Sequence, residues 1–72
     1  MKLKKLDLHG IKHQDVARIV ENFVFLNQNE IPLEIVCGNS QRMIDLVSEV
    51  LNQIECEQYD QIRFGTIIVR KL

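Results

Sequence analysis

"LDLHG", residues 6–10, is the stretch from which the fold can be read. Side chains alternate sides along a strand, so Leu6 and Leu8 point one way while Lys5, Asp7 and His9 point the other. Gly10 then breaks the run. A strand over residues 3–8 should bury its leucine face. The acid and the imidazole then stand together on the uncovered side of a sheet, or at its rim.

The next segment changes period. Val16, Ile19, Val20, Phe23, Val24 and Leu26 recur at helical spacing and predict an amphipathic helix over residues 12–27. Lys12 is a poor N-cap, partly offset by Gln14 and by Asp15 through the helix dipole. Phe25 falls off the stripe and should be partly exposed. "NQNEIP", residues 27–32, reads as a turn. "LEIVC", residues 33–37, is β-branched and nearly all apolar, as an inner strand should be. "GNS", residues 38–40, leads into a second helix over 41–53. Ser40 or Asn39 caps that helix, and Met43, Leu46, Val47, Val50 and Ile54 face inward. A short strand near Cys56–Tyr59 and a longer one over Thr66–Lys71 complete the chain, with Gly65 at the bend between them.

The order is therefore β-α-β-α-β-β. Two strands joined by a helix should run parallel with a right-handed crossover. Loops leaving the carboxyl ends of such strands are where sites form. "HG" and "GNS" both leave from that edge, and neighbouring strands would hold them only about 5 Å apart.

A chain of 72 residues supports one domain, 1–72, and 46% apolar with 26% charged residues marks it as globular. The net charge of -1 excludes a chain-wide basic field, so a nucleic-acid partner needs a local patch. The longest apolar run, Phe23 to Leu26, is far shorter than the ~20 residues that span a membrane. Asp7 and His9 interrupt what would be the apolar segment of a signal peptide. A cytoplasmic protein with no membrane partner is expected. Cys37 and Cys56 lie in apolar contexts without metal-ligand spacing and should be buried, reduced thiols.

An imidazole serves as acid or base near neutrality, which makes His9 a candidate catalytic group. Asp7 beside it can orient the ring or hold a divalent cation such as Mg through hard oxygen ligands. The structural alternative is that His9 bonds a backbone group and Asp7 caps a loop. Gly38 lets the main chain approach a phosphate at a helix start, Asn39 and Ser40 can each donate a hydrogen bond, and Arg42 can supply charge. An ordinary strand-to-helix turn is the alternative there. Lys2, Lys4 and Lys5 near one end, with Arg63, Arg70 and Lys71 near the other, form one basic stripe if the first and last strands are close. Otherwise they are a solvated surface. His13 reads as a surface residue more readily than as a second acid or base. Tyr59 and Phe64 are assigned to the core rather than to base stacking.

"LDLHG" opening a helix, a strand ending in a glycine loop before a second helix, and a final "GTIIVRKL" together resemble the Smr (small MutS-related) domain family, over Leu6 to Leu72. The resemblance implies a two-layer α/β sandwich, with a mixed four-stranded sheet and two helices on one face, similar to the C-terminal domain of translation initiation factor 3. It implies binding to nucleic acid, DNA or RNA, and endonuclease or nickase activity, with ribosome-linked RNA cleavage as one role. Asp7 and His9 match the aspartate and histidine to which the family's cleavage is attributed, and Gly10 matches the glycine closing that motif. The family's second motif usually reads Thr-Gly-x-Gly, with a basic residue often at x. Here it is Cys37-Gly38-Asn39-Ser40, which keeps Gly38 and lacks a second glycine and a cation. The expected phosphate contacts are Gly10, Gly38, Asn39, Ser40 and Arg42, with Lys5 and Arg70. The altered motif favours the competing expectation, a non-catalytic module of the same fold that docks on nucleic acid or a ribosome.

Overall fold

The computed structural model describes residues 3–72. Strand β1 (Lys4–Asp7) leads to helix α1 (His13–Leu26) and a single 3-10 turn (Gln28–Glu30). Strand β2 (Leu33–Val36), helix α2 (Gln41–Gln53), β3 (Gln58–Arg63) and β4 (Thr66–Lys71) follow. The strands form one four-stranded sheet in the order β1-β2-β4-β3. β1 and β2 are parallel, while β4 runs antiparallel to both its neighbours. The β-α-β-α-β-β order is the one read from the sequence, and the mixed four-stranded sheet with two helices is the layout the resemblance implies.

Burial follows the alternation of the strands. Leu33, Ile35 and Cys37, with Ile67 and Val69 of β4 and Leu8 beyond β1, share one core with both helices. Val16, Val20 and Val24 come from α1, and Met43, Ile44, Val47, Val50 and Leu51 from α2. Both crossovers, β1 to β2 and β2 to β3, step the same way across the sheet. Right-handed connections therefore place both helices on one side. On the other side Lys5, Glu34, Ile68 and Asp60 lie in register across the strands. Ile68 is only 4% exposed there, between two carboxylates that pair with Arg63 and Arg70.

Three expectations need correction. Leu26 is 83% exposed rather than inward, because it is the last residue of α1 and the chain turns away there. The inward stripe of α2 is rotated toward Ile44 and Leu51, leaving Leu46 and Ile54 half-buried. The third strand starts at Gln58, not Cys56, and runs on to Arg63. Cys56 instead closes α2. Glu55 takes a left-handed conformation (φ 59°), its N–H donates to the Asn52 carbonyl at 3.1 Å, and the Cys56 N–H donates to the Leu51 carbonyl at 2.9 Å. That pair of bonds is a Schellman turn.

The helix starts behave as their residues dictate. Ser40 Oγ accepts the Met43 N–H at 3.2 Å, whereas Lys12 provides no side-chain cap to α1. Both cysteines are free thiols, Cys37 buried and Cys56 half-buried. Among the described residues, no helix is long and apolar enough to cross a membrane.

Candidate functional site at the carboxyl edge of β1 and β2

The parallel pairing of β1 with β2 puts the two glycine loops side by side. Asp7 lies opposite Val36, and just beyond it the Leu8 N–H donates to the Val36 carbonyl at 3.0 Å. Past that bond β1 enters the His9–Gly10 turn, closed by the Ile11 N–H on the Leu8 carbonyl at 3.0 Å. Gly10 has φ +77°, the sign required at the third residue of a type II turn. One strand away, Gly38 has φ +75° and starts the passage into α2. Both helices begin at this edge, so the partner-free N–H groups of their first turns face it together.

The side chains divide the work differently from the simplest reading. Asp7 Oδ1 accepts the His9 backbone N–H at 2.9 Å, so this carboxylate fixes the turn. The His9 imidazole is exposed and makes no hydrogen bond or ion pair among the described residues. Asp7 thus holds the backbone from which the ring projects and does not grip the ring itself. Among the described residues, no group of three or more His, Cys, Asp and Glu side chains is placed to hold a metal ion. Asp7 is the sole protein carboxylate the expectation offered for Mg, and one carboxylate fits only a cation that keeps most of its water.

The basic residues sort by position. Lys4 pairs with Glu30, Arg18 with Asp15, Arg63 with Glu34, Arg70 with Asp60 and Lys71 with Glu57. Lys5, Lys12 and Arg42 have no carboxylate partner among the described residues. Lys12 and Arg42 stand at the starts of the two helices, and Lys5 precedes Asp7 by two positions on the same strand face. The condition for a single basic stripe, close first and last strands, is not met among the described residues. β2 separates β1 from β4, and the cations of β3 and β4 are each neutralised. Lys2 lies outside the described residues. Arg70 stands apart from this edge. It lies beyond the Val69–Leu33 register pair, at the amino end of β2, about 13 Å of strand from Thr66 at the site edge.

Two aromatic residues part company. Tyr59 is half-buried and its hydroxyl donates to Asn52 Oδ1 at 2.8 Å, a packing role on α2 as expected. Phe64 is 54% exposed, so its assignment to the core is wrong. It occupies the two-residue turn between β3 and β4, and that turn abuts the Gly38 loop. The Cys37 N–H donates to the Gly65 carbonyl at 2.6 Å, and Gly65 lies so close to the Gly38 carbonyl that no side chain fits. Only the position of Gly65 is visible in the sequence, as a bend; the contact joins segments far apart in the chain.

Ser40 and Gly38 stand where the sequence places them, Asn39 and Arg42 are exposed beside them, and His13 is exposed in the first turn of α1. Ile11, Lys12, His13 and Gln14 line an open depression next to the His9 turn. The class defined here is a small α/β domain with two glycine turns, two helix starts and a free imidazole at one sheet edge. Comparisons with family models, curated proteins and solved structures find no match.

Proposed function

We propose that this edge binds a nucleic-acid backbone and cleaves a phosphodiester in it, in the manner the Smr resemblance implies. The supporting fold reading is a two-layer sandwich similar to the C-terminal domain of translation initiation factor 3. The observation that carries the proposal is the juxtaposition of a partner-free, exposed His9 with the Gly38 turn, one hydrogen-bonded strand away. The Gly38–Arg42 segment offers backbone N–H groups and a guanidinium to a phosphate. Gly10 lets the neighbouring turn come equally close. Lys12 and Lys5 extend the positive track, giving an affinity that falls with salt.

His9 then takes the proton of the attacking hydroxyl, the 2′-hydroxyl of RNA or a water, as that oxygen bonds to phosphorus and the departing ester oxygen is protonated by solvent. Asp7 contributes by holding the His9 main chain, so the ring starts from a fixed turn. A hydrated divalent cation near the free Asp7 oxygen would neutralise charge on the phosphate. A second reading has its own observation. The Asp7 carboxylate is engaged by backbone and the loop lacks a second glycine, which suits a module that binds nucleic acid or a ribosome without cutting.

Labelled single-stranded RNA and supercoiled DNA, with and without Mg, separate the two readings. Cleavage by the wild-type chain that disappears in His9→Ala while binding remains supports the nuclease. Binding with no cleavage supports the module. Failure to bind either polymer at low salt sinks both.

A further inference from the structure

We infer that Phe64 is a stacking platform for an unpaired nucleobase beside the phosphate held at Gly38–Arg42, so that the strand recognised is single-stranded at that point. This rests on the nucleic-acid reading above and specifies its substrate.

Phe25 and Leu26 are exposed apolar side chains too, and Phe64 differs from them by its place at the site edge. Phe64 is 54% exposed and is not part of the buried core, and Ile62 on the same hairpin is 46% exposed. The fold nevertheless anchors this tip firmly. Gly65, the next residue, is buried, its carbonyl accepts the Cys37 N–H, and its α-carbon lies against the Gly38 backbone. The turn that carries the aromatic residue is therefore anchored at the same edge as the phosphate loop. With strands spaced about 4.8 Å apart, the tip is about one strand from Gly38 and about two from His9. That is the separation between a phosphate and the base of its own or the adjoining nucleotide.

Charge says what covers the ring. The cations without carboxylate partners among the described residues are Lys5, Lys12 and Arg42, and the last two stand at the helix starts on this edge. An aromatic face at the same sheet edge as unneutralised cations suits a ligand that is anionic along its backbone and flat and apolar on its side groups. A single-stranded nucleic acid has that chemistry. A paired base hides its faces in the stack and cannot use the platform.

The test exploits a gap in composition: the chain contains no tryptophan, so Phe64→Trp introduces a sole indole reporter. Binding of a fluorescently labelled single-stranded 10-mer, and of a matched strand of abasic sugars, is measured by anisotropy for wild type, Phe64→Ala and Phe64→Trp, with strand integrity checked on a gel. Thermal melts confirm that the variants fold. The expected result is affinity for the base-bearing strand reduced about 5- to 100-fold in Phe64→Ala and kept in Phe64→Trp. Indole emission of the Phe64→Trp variant should be quenched by that strand and not by the abasic one. Equal affinity of wild type and Phe64→Ala, with no quenching, overturns the platform while leaving nucleic-acid binding intact. A wild-type chain that binds neither strand overturns the nucleic-acid reading, and this inference with it.

Discussion

Gly38 and Gly65 are in backbone contact just beyond the paired ends of β2 and β4, and a methyl group on Gly65 would overlap the Gly38 carbonyl. The contact ties the phosphate-loop candidate to the β3–β4 hairpin. Both residues also have positive φ, +75° and +87°, yet a methyl on Gly38 would meet open space. The two positions should therefore respond differently to alanine. Gly38→Ala suffers only the left-handed backbone, about 1 kcal/mol. Gly65→Ala adds a clash with main chain that cannot move aside, for about 2–4 kcal/mol in total. Urea unfolding of the two variants measures the gap. Equal losses would mean the hairpin does not rest on the loop.

Asp7 fixes the His9 turn through one oxygen, and its substitutions can separate geometry from charge. Asp7→Ala removes the acceptor and should cost about 1 kcal/mol. Asp7→Asn keeps an oxygen in place and should retain most of that stability. If the carboxylate charge also serves the chemistry, Asp7→Asn cleaves slowly despite its intact fold. Melting curves beside cleavage rates decide this. An Asp7→Asn variant as active as wild type would reduce Asp7 to a turn residue.

Burial pushes the Cys37 thiol up from 9.0 to about 11. The native state keeps this proton while the unfolded chain loses it near pH 9. The contribution to stability is thus complete below pH 9 and is lost as pH rises toward 11, at no more than about 1.4 kcal/mol per pH unit. Burial also raises the Cys56 thiol, which adds to the same limb. Cys37→Ala should begin less stable, by about 1 kcal/mol for the lost packing. The gap to wild type should then narrow between pH 9 and 11. Denaturant midpoints at stepped pH test this, and a gap independent of pH would contradict it.

Much of this architecture is legible in the sequence because its signals are local. The parity of "LDLHG" separates Leu8, 1% exposed, from Asp7 and His9, both exposed. The helical spacing of Val16, Val20 and Val24 gives α1, and Ser40 announces α2. The bounds of β3 escape such a reading for a physical reason. It is an edge strand in which every residue except the half-buried Tyr59 is exposed, so "QYDQIR" shows almost no hydrophobic alternation. The exposure of Phe64 and the Gly38–Gly65 contact depend on where the hairpin lands, which no local pattern encodes. The pairing of Arg70 with Asp60 depends on strand register in the same way.

Glu55 holds a left-handed conformation at the end of α2, where glycine is favoured. Glu55→Gly relieves that strain but gives the unfolded chain more freedom, so the net gain should be small, about 0.5 kcal/mol. A rise of a few degrees in the thermal midpoint is expected for a domain this size. A fall would show that the Glu55 side chain makes a contribution of its own.

The claim on which the rest stands is that anionic strands dock at the carboxyl edge of β1 and β2. Amide-resolved NMR titration of the labelled chain with a short single-stranded oligonucleotide addresses it directly. Shifts should concentrate at residues 9–14, 38–43 and 64–66 and weaken as salt rises. Shifts centred instead on the Asp60–Arg70 end of the sheet or on the outer faces of the helices would contradict it.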